Sequence, residues 1–591
     1  MNRTTAWFQE IRATGKRHRV FRLFFFISVA ASLFSFMDLG FGASGTWSKV
    51  VPWFFFLIHL TGGLGIALRY LAGPTRRKGV WVFDAVVALL QIACMRLIVL
   101  QALDAGVWTD SPAQQLSHLG VWAVFVREWS VQNIDYRKIA LNPAQLLVLS
   151  FSGLILAGAL LLMLPRASHT SISFLDALFT SASAVCVTGL IVVDTGTFFT
   201  PLGQGIILAL IQLGGLGIMT FATYFSLFFL GNTSFSSQLV AGDISNTSKL
   251  SEVIGTVRKI VTVTLLIELA GAIAIFFSLR PGQFANSLDK AYFALFHSIS
   301  AFCNAGFSTL RDSLYQTGFR DNYPMLMVVA VLLMAGGLGF PIVFNLIRYG
   351  RYLLERVFLG RKRSSQPWIV NLNSRLILIT TAVLVFIGWA GYFALEYHHT
   401  LAEHSGGGKV VAAFFAGVTP RTAGFNNVDL TTLRGPAAML ILFLMWVGAS
   451  PASTGGGIKT STLALAVLNV MSFARGQNRV EVFRREVAFS SLQRAFSIIA
   501  LSVVALFAGI FAVASFNPEL DLLKVVFECI SAYSTVGLSM GITASLSAAS
   551  KWVIIALMLI GRVGSLTLLV ALVRKSPFKN YRYSTEEILI N

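Results

Sequence analysis

Four short segments of this 591-residue chain repeat one another, and each lies between two long apolar runs. They are SASAVCVTGL (181–190), SISAFCNAGF (298–307), AGVTPRTAGF (416–425) and ISAYSTVGL (530–538). Aligned on Gly189, Gly306, Gly424 and Gly537, they fall 117, 118 and 113 residues apart. A phenylalanine stands ten residues before each glycine (Phe179, Phe296, Phe414 and Phe527), and Leu190, Phe307, Phe425 or Leu538 follows it. Self-similarity at a fixed period means that one structural unit recurs. The chain is therefore expected to build one architecture from four copies.

Each unit reads as a span, a short helix, a glycine turn and a second span. The first spans are expected near 144–164, 258–279, 376–397 and 493–515, and the second near 204–230, 324–348, 437–472 and 552–573. The stretches between them, such as 173–183 and 289–302, are apolar but shorter than the ~20 residues that cross a bilayer. A short apolar helix and a glycine turn that enter and leave from one side make a re-entrant loop. Non-helical backbone at membrane depth survives only where protein buries it or where it lines a watery path. Four such loops can surround one axis. Composition agrees: 55% of residues are apolar and 12% charged, against roughly 25% charged in soluble domains. A soluble enzyme, a disordered chain and a disulfide scaffold are thereby excluded. The expected fold class is an all-α polytopic membrane protein, with four repeats around one pore and an additional N-terminal helical bundle.

Extended backbone around a glycine can turn its carbonyl oxygens inward and replace the hydration shell of a cation. Glycine suits that role because it accepts backbone angles other residues resist. The short helices aim their partly negative C-terminal ends at the same axis. No Asp or Glu lies in 181–190, 299–307, 417–426 or 531–538. Selectivity then rests on carbonyls, which favours a weakly hydrated monovalent ion, K⁺ before Ca²⁺.

The second spans carry a repeat of their own. Gly214-Gly215-Leu216-Gly217 and Gly336-Gly337-Leu338-Gly339 occupy matching places, and Gly561-Arg562-Val563-Gly564 is the fourth-repeat counterpart. The first two are read as close helix packing through small residues. The third repeat instead carries GASPASTGGGIKTST (448–462), with Pro451 and the triplet Gly455, Gly456 and Gly457 inside a long apolar stretch. Pro in a helix interior costs ~3 kcal/mol and each Gly ~1 kcal/mol, so 448–462 is expected to be an intramembrane loop beneath the filter and a candidate gate. Arg562 is a charge deep in the last span, and such charges are usually functional. It either binds the loop's carbonyls or pairs with a carboxylate such as Glu268 or Glu528. Lys459 in the loop is read in the same way, or snorkels to the cytoplasm. Glu268 and Glu396 are expected to make packing hydrogen bonds.

Net charge is 46 − 26 = +20, which has to be read by position before nucleic acid is considered. The basic clusters are Arg3 to Arg22, Arg76 to Lys78, Arg137/Lys138, Arg258/Lys259, Arg348 to Arg363, Arg475 to Arg485 and Arg574 to Arg582. The positive-inside rule places them in the cytoplasm, with both termini. The segments 165–204, 280–324, 398–436 and 517–551 carry few basic residues and are assigned to the outer side. The charge orients the chain, so no nucleic-acid partner is implied; docking to an acidic cytosolic partner or to membrane lipid is compatible with it. The basic N-terminus leads into an uncleaved first span rather than a cleaved signal peptide. Cys94, Cys186, Cys303 and Cys529 have no metal-ligand spacing and imply no disulfide framework. His297 and the His398-His399 pair are isolated and read as surface or helix-end residues. No His cluster, catalytic carboxylate pair or nucleotide loop is present, so the chain does not read as an enzyme.

These motifs resemble the Trk/Ktr/HKT superfamily of K⁺-translocating subunits, most closely the bacterial Trk and Ktr types. The likeness covers about residues 140–575. It is most specific in VCVTGL (185–190), FCNAGFS (302–308), TPRTAGFN (419–426), STVGLSMG (534–541), STGGGIKTST (453–462) and GRVGSLTLL (561–569). The resemblance implies gated, channel-like K⁺ uptake across the bacterial cytoplasmic (inner) membrane. It implies a K⁺ selectivity filter made of Cys186, Val187, Thr188 and Gly189; Cys303, Asn304, Ala305 and Gly306; Arg421, Thr422, Ala423 and Gly424; and Ser534, Thr535, Val536 and Gly537. It implies a gate of Gly455, Gly456, Gly457 and Lys459 facing Arg562, with no cofactor held by this chain. Plant members selective for Na⁺ often carry Ser at the first filter position, where this chain has Gly189. A homodimer is implied, together with a cytosolic ring of regulatory subunits that bind a nucleotide (ATP, ADP or NAD). A Na⁺-permeable or Na⁺/H⁺-coupled transporter, a symporter included, is the competing reading.

The expected organisation is an N-terminal extension (1–140), then pore repeats at 141–245, 246–365, 366–485 and 486–591, the last with a short cytoplasmic tail. The extension departs from the family pattern. Spans are expected near 22–40, 48–69 and 80–103, and the apolar 116–126 is short. An even number of crossings requires either that 116–126 completes a fourth or that 80–103 does not fully cross. Asp84, Arg96 and Asp104 are candidates for intramembrane ion pairs.

Overall fold

The computed structural model describes residues 16–42, 47–71, 78–103, 108–109, 111–131, 143–216, 253–358, 371–477 and 479–573. Expectations for Gly217 and the rest of the first repeat's second span, for Asp104, and for the clusters at Arg76/Arg77, Arg137/Lys138, Arg361–Arg363 and Arg574–Arg582 lie outside the described residues.

The chain opens with α1 (Lys16–Phe41), α2 (Trp47–Leu71), α3 (Lys78–Leu103) and α4 (Pro112–Val131). These four pack on one another as a bundle. With 20 residues, α4 is about 30 Å long, enough to cross the hydrocarbon core. Its polar residues face inward, which hides its spanning length from hydropathy. Arg127 donates to Asp84 of α3 through Nε and Nη2, and Arg69 of α2 pairs with Glu128. Gln114 and His118 reach Asp38 of α1. The ion pair expected of Asp84 is therefore made with Arg127, while Arg96 lies exposed on the bundle surface.

The first repeat comprises α5 (Pro143–Leu162), the short α6 (Phe174–Val185) and α7 (Pro201–Gly215). The second comprises α8 (Val253–Ser278), the short α9 (Ser287–Phe302), α10 (Tyr323–Gly337) and α11 (Phe340–Phe358). In the third are α12 (Leu372–Glu396), the short α13 (Gly406–Val418), α14 (Gly435–Trp446) and α15 (Thr460–Ala474). The fourth has α16 (Phe489–Phe516), the short α17 (Leu522–Tyr533), α18 (Ala548–Val563) and α19 (Ser565–Leu572). A two-residue antiparallel pairing, Glu481–Val482 with Arg485–Glu486, precedes α16. Seven described helices are long and apolar enough to cross a membrane, or nine if each of two bent pairs counts as one span. This is a multi-pass all-α membrane protein.

The second spans are not straight helices. The chain bends by 108° between α10 and α11 and by 96° between α18 and α19. The breaks fall on Gly339 and Gly564, whose φ values of +83° and +91° lie in the left-handed region that glycine tolerates best. The glycine motifs thus divide their labour. Gly214 and Gly336 pack as expected, and Gly561 does the same without having been read so: a Cβ on each would lie within 2.0 Å of the carbonyl oxygen of Val185, Phe302 or Tyr533 at the end of its own short helix. Gly339 and Gly564 end the helix instead. The core lies behind the short helices, where Phe179, Phe296 and Phe527 are fully buried. Apolar side chains such as Val504, Phe507 and Phe511 of α16 are exposed, as a lipid-facing surface requires.

Candidate functional site

The four glycine turns close into a ring. A Cβ on Gly189 would lie 2.4 Å from the Ala305 carbonyl oxygen, and one on Gly306 would lie 2.9 Å from that of Ala423. One on Gly424 would lie 2.4 Å from Val536 O, and one on Gly537 would lie 2.1 Å from Thr188 O. Each glycine thus faces the carbonyl that precedes the glycine of the next repeat, and the fourth returns to the first. Four units share one axis.

Backbone conformation repeats around that ring. Val187, Asn304, Thr422 and Thr535 have φ between +50° and +65°, and the glycines two positions later have φ between +70° and +92°. Four non-glycine residues in the left-handed region are strained, and such strain persists only where the surroundings over-determine it. The bracing comes from the end of each short helix. Thr188 N–H donates to Ser183 O (2.8 Å), Ala305 N–H to Ser300 O (2.8 Å) and Val536 N–H to Ser531 O (2.9 Å). The Ser183 and Ser531 hydroxyls accept from the Gly189 and Gly537 amides at 3.0 and 3.1 Å.

The third repeat reaches the same result with one residue fewer. Ala423 N–H donates to Thr419 O at 3.0 Å, and Thr419 Oγ1 donates to Phe425 O as Ser300 Oγ does to Phe307 O. Thr419, five residues before Gly424, therefore stands where serines stand six before the other glycines. Phe415 is fully buried and Phe414 only half-buried. The phenylalanine matching Phe179, Phe296 and Phe527 is thus Phe415, not Phe414. The bracing serines carry a sequence signal of their own, the constant offset of Ser183, Ser300 and Ser531 from their glycines, that the glycine motif alone does not expose.

Among the expected filter residues the side chains diverge. Cys186, Cys303 and Ser534 are buried next to the short helices, and all four cysteines are free thiols. Arg421 occupies the corresponding place in the third repeat, also buried. Above the ring a cavity of about 450 Å³ opens, lined by all four glycines together with Asp194, Asp312 and Asp429. Those carboxylates lie outside the repeated motifs, so sequence alone does not point to them. Below the ring, Gly456 N–H donates to Thr535 Oγ1 at 2.9 Å. A Cβ on Gly455 would lie 2.1 Å from Thr422 Oγ1, and one on Gly457 would lie 3.2 Å from Ser534 Cβ. The glycine triplet thus fits directly beneath the turns of the third and fourth repeats.

The loop that carries the triplet runs from 447 to 459, a little shorter than the expected 448–462, because Thr460–Thr462 already begin α15. It is tied to the second repeat: Ser450 N–H donates to Gly337 O (3.0 Å) and Phe340 N–H to Ala452 O (3.1 Å). Two cations hold consecutive loop carbonyls. Arg562 Nη1 donates to Thr454 O and Nη2 to Gly214 O of α7. Lys459 Nζ donates to Gly455 O at 2.6 Å. Of the two roles open for Arg562, the geometry has the carbonyl contacts. The carboxylates are engaged elsewhere. Glu268 accepts from Gln212 Nε2 (3.0 Å), and Glu528 accepts from Ser539 Oγ (2.9 Å) and Thr543 Oγ1. Glu396 accepts from the Arg434 amide (3.2 Å) and from His399 Nδ1 (3.0 Å). His297 is neither a surface nor a helix-end residue. It is fully buried, with Nδ1 2.9 Å from Phe293 O and Nε2 2.9 Å from Ser308 Oγ just beyond the second turn.

Residues 122–583 match the TrkH family model, described as a cation transport protein. The chain is 36% identical over 452 residues to the Ktr system potassium uptake protein B of Bacillus subtilis (strain 168), covering 76% of this chain and 97% of that protein. It is 35% identical over 458 residues to the potassium/sodium uptake protein NtpJ of Enterococcus hirae, covering 76% and 97%. The crystal structure of the potassium transporter TrkH from Vibrio parahaemolyticus superposes with a TM-score of 0.59 at 19% identity, over 89% of this chain and 97% of that one.

Proposed function

This chain belongs to the TrkH family of cation transport proteins, and on that footing we propose that it takes up K⁺ across the cytoplasmic membrane through one gated pore. The observation that carries the proposal is the closed ring of four glycines, each set against a carbonyl of the next repeat. In this reading the filter runs along Cys186–Gly189, Cys303–Gly306, Arg421–Gly424 and Ser534–Gly537, with K⁺ as the transported ion coordinated by backbone oxygens. Carbonyl oxygens replace water around a weakly hydrated monovalent cation more cheaply than around a strongly hydrated one. The carboxylates of Asp194, Asp312 and Asp429 raise the local cation concentration at the outer mouth. The names of the relatives carry the same sense, potassium uptake in one and potassium/sodium uptake in another.

The loop 447–459 serves as the gate. It fills the path under two of the four turns, and a K⁺ ion leaving the filter has to displace it. Arg562 and Lys459 occupy the Thr454 and Gly455 carbonyls, which supports reading the described arrangement as the non-conducting one. Opening requires those carbonyls to be released. The pore unit is assigned to 141–591, with repeats at 141–245, 246–365, 366–485 and 486–591, and with both termini and the basic loops on the cytoplasmic side. The relative's description as part of a Ktr system is consistent with a homodimer that docks a cytosolic nucleotide-binding ring on those loops. The chain acts as a transporter and no bond-breaking chemistry is assigned to it.

The test is complementation of a K⁺-uptake-deficient bacterium at low K⁺. The wild-type chain is expected to restore growth, and Gly189→Ser and Gly424→Ser to abolish or strongly reduce it. Wild-type failure accompanied by Na⁺ flux in liposomes overturns the K⁺ reading in favour of the Na⁺-permeable alternative.

A further inference from the structure

The residue that follows the matching phenylalanine of each short helix is Thr180, His297, Ala416 or Glu528. Two of these four are titratable, and both are fully buried behind the ring. They belong to the second and fourth repeats. Those repeats lie opposite each other, because each glycine faces the carbonyl of the next repeat in chain order.

Both side chains reach the same place. His297 stands nine residues before Gly306, and Ser308 stands two after it; Glu528 stands nine before Gly537, and Ser539 two after it. His297 Nε2 lies 2.9 Å from Ser308 Oγ, and Glu528 Oε2 accepts from Ser539 Oγ at 2.9 Å. Each serine oxygen in turn accepts the amide two residues on, Leu310 N–H at 3.0 Å and Gly541 N–H at 3.0 Å. The 2.9 Å contact of His297 Nδ1 with Phe293 O sets the direction of the first relay. A carbonyl only accepts, so Nδ1 carries the proton, and in the neutral ring Nε2 accepts from the Ser308 hydroxyl. Both relays then run from amide to hydroxyl to buried acceptor. The acceptors are held from a second side: the Phe293 ring lies against the imidazole with centroids 3.9 Å apart, and Thr543 Oγ1 donates to the other Glu528 oxygen. The first and third repeats lack the residues for such a relay. Thr180 Oγ1 donates within its own helix to Asp176 O at 2.9 Å, and Ile191 stands two beyond Gly189. Ala416 has no polar side-chain atom, and Asn426 stands two beyond Gly424.

On the filter reading of the glycine ring, on which this rests, we propose that His297 and Glu528 are positioning residues for ion selection. Through Ser308 and Ser539 they hold the outer ends of two opposite filter strands, and so fix how far the carbonyls across the axis can close on an ion. The strands need such holding. Asn304 and Thr535 have φ of +59° and +50°, and strain of that kind persists only where the surroundings over-determine it. The serines at the helix ends brace each strand up to its glycine; His297 and Glu528 extend the brace beyond it. Where selectivity comes from cavity size, carbonyls kept apart fit K⁺ better than Na⁺, and carbonyls free to close accept both.

The full-length chain is expressed in the K⁺-uptake-deficient bacterium, and initial uptake of K⁺ and of Na⁺ is measured in K⁺-depleted cells at equal protein in the membrane. Ser308→Ala and Ser539→Ala are each expected to lower the K⁺:Na⁺ uptake ratio about fivefold, the equivalent of one lost hydrogen bond. Ser539→Thr keeps the hydroxyl and has the outer cavity beside it, so it is expected to hold the wild-type ratio. His297→Leu and Glu528→Gln are expected to lower the ratio likewise. Each double variant, His297→Leu with Ser308→Ala and Glu528→Gln with Ser539→Ala, is expected to fall no further than its single variants, because the pair acts as one. Thr180→Val is the first-repeat control and is expected to leave the ratio unchanged. Lower uptake of both ions at an unchanged ratio marks a merely structural role and overturns the proposal. Additive double variants, or a Thr180→Val shift as large as the others, overturn it too. If a His297 or Glu528 variant does not reach the membrane, the serine variants decide alone. A wild type that takes up Na⁺ ahead of K⁺ overturns the K⁺ reading and not the brace, which is read from the shift each variant makes. A wild type that takes up neither ion overturns the pore reading and the brace with it.

Discussion

At single residues, the decisive feature is how little room the ring glycines have. A Cβ on Gly537 would lie 2.1 Å from a backbone oxygen of a different repeat, which cannot move as a flexible side chain can. Gly537→Ala is therefore expected to remove K⁺ uptake in complementation while the protein still reaches the membrane in normal amount. Gly205, which has open space around its Cα, is the matched control, and Gly205→Ala is expected to leave growth unchanged. These glycines are legible in the sequence because four copies in register are hard to explain otherwise. Phe415 is not legible, because the third turn is one residue shorter and an alignment anchored on the glycine shows Phe414 at the matching offset. It cannot show on which side of the glycine a residue is missing. Arg562 stands out as a charge in the membrane, but only its contacts with Thr454 O and Gly214 O decide between a carbonyl latch and a buried ion pair.

Among elements, the second spans show propensity and packing acting together. Pro451 and the glycine triplet make a continuous helix over 437–472 too costly, and the loop at 447–459 is the outcome. Deletion of Gly455–Gly457 is expected to raise K⁺ flux in liposomes, because the loop no longer fills the path under Thr422 and Thr535. Unchanged flux in a folded protein would sink the gate. The breaks at Gly339 and Gly564 are not distinguishable from packing glycines in the sequence. The two uses share one pattern, and φ is set by the direction the chain must take beyond the helix end. In the outer loops, His404 is held below its usual pKa, chiefly by burial, with Asp321 acting against it. A depressed folded value means that the unfolded chain binds the extra proton first. His404 should thus stabilise the loop above its ordinary pKa and cost stability as pH falls below it. His404→Gln is expected to flatten the fall in Tm between neutral and mildly acidic pH, with little change at neutral pH.

Across the whole molecule, the pore unit and the N-terminal bundle answer to different constraints. The curated relatives are covered to 97% of their length by 76% of this chain. A chain lacking residues 2–131 is expected to keep K⁺ uptake, and loss of uptake despite membrane insertion would assign the bundle a part in permeation. Inside the bundle, Arg127→Ala would leave Asp84 buried without its ion pair, which typically costs about 3–5 kcal/mol. The check is a lower Tm for the full chain with no change in ion selectivity. Local chemistry written in the sequence is enough to establish that the chain crosses a membrane repeatedly, that four units share one plan, and that a loop interrupts the third. Apolar length, the register of small residues, and the cost of Pro and Gly in a helix carry those three conclusions. They do not reveal that the short apolar 116–126 belongs to a 20-residue helix, α4, since a helix whose polar face is buried against its neighbours looks too polar on hydropathy alone. Nor do they reveal which glycines pack and which break, where Asp194, Asp312 and Asp429 gather, or what Arg562 binds. Those depend on residues hundreds of positions apart meeting at one axis, and only the folded chain brings them there.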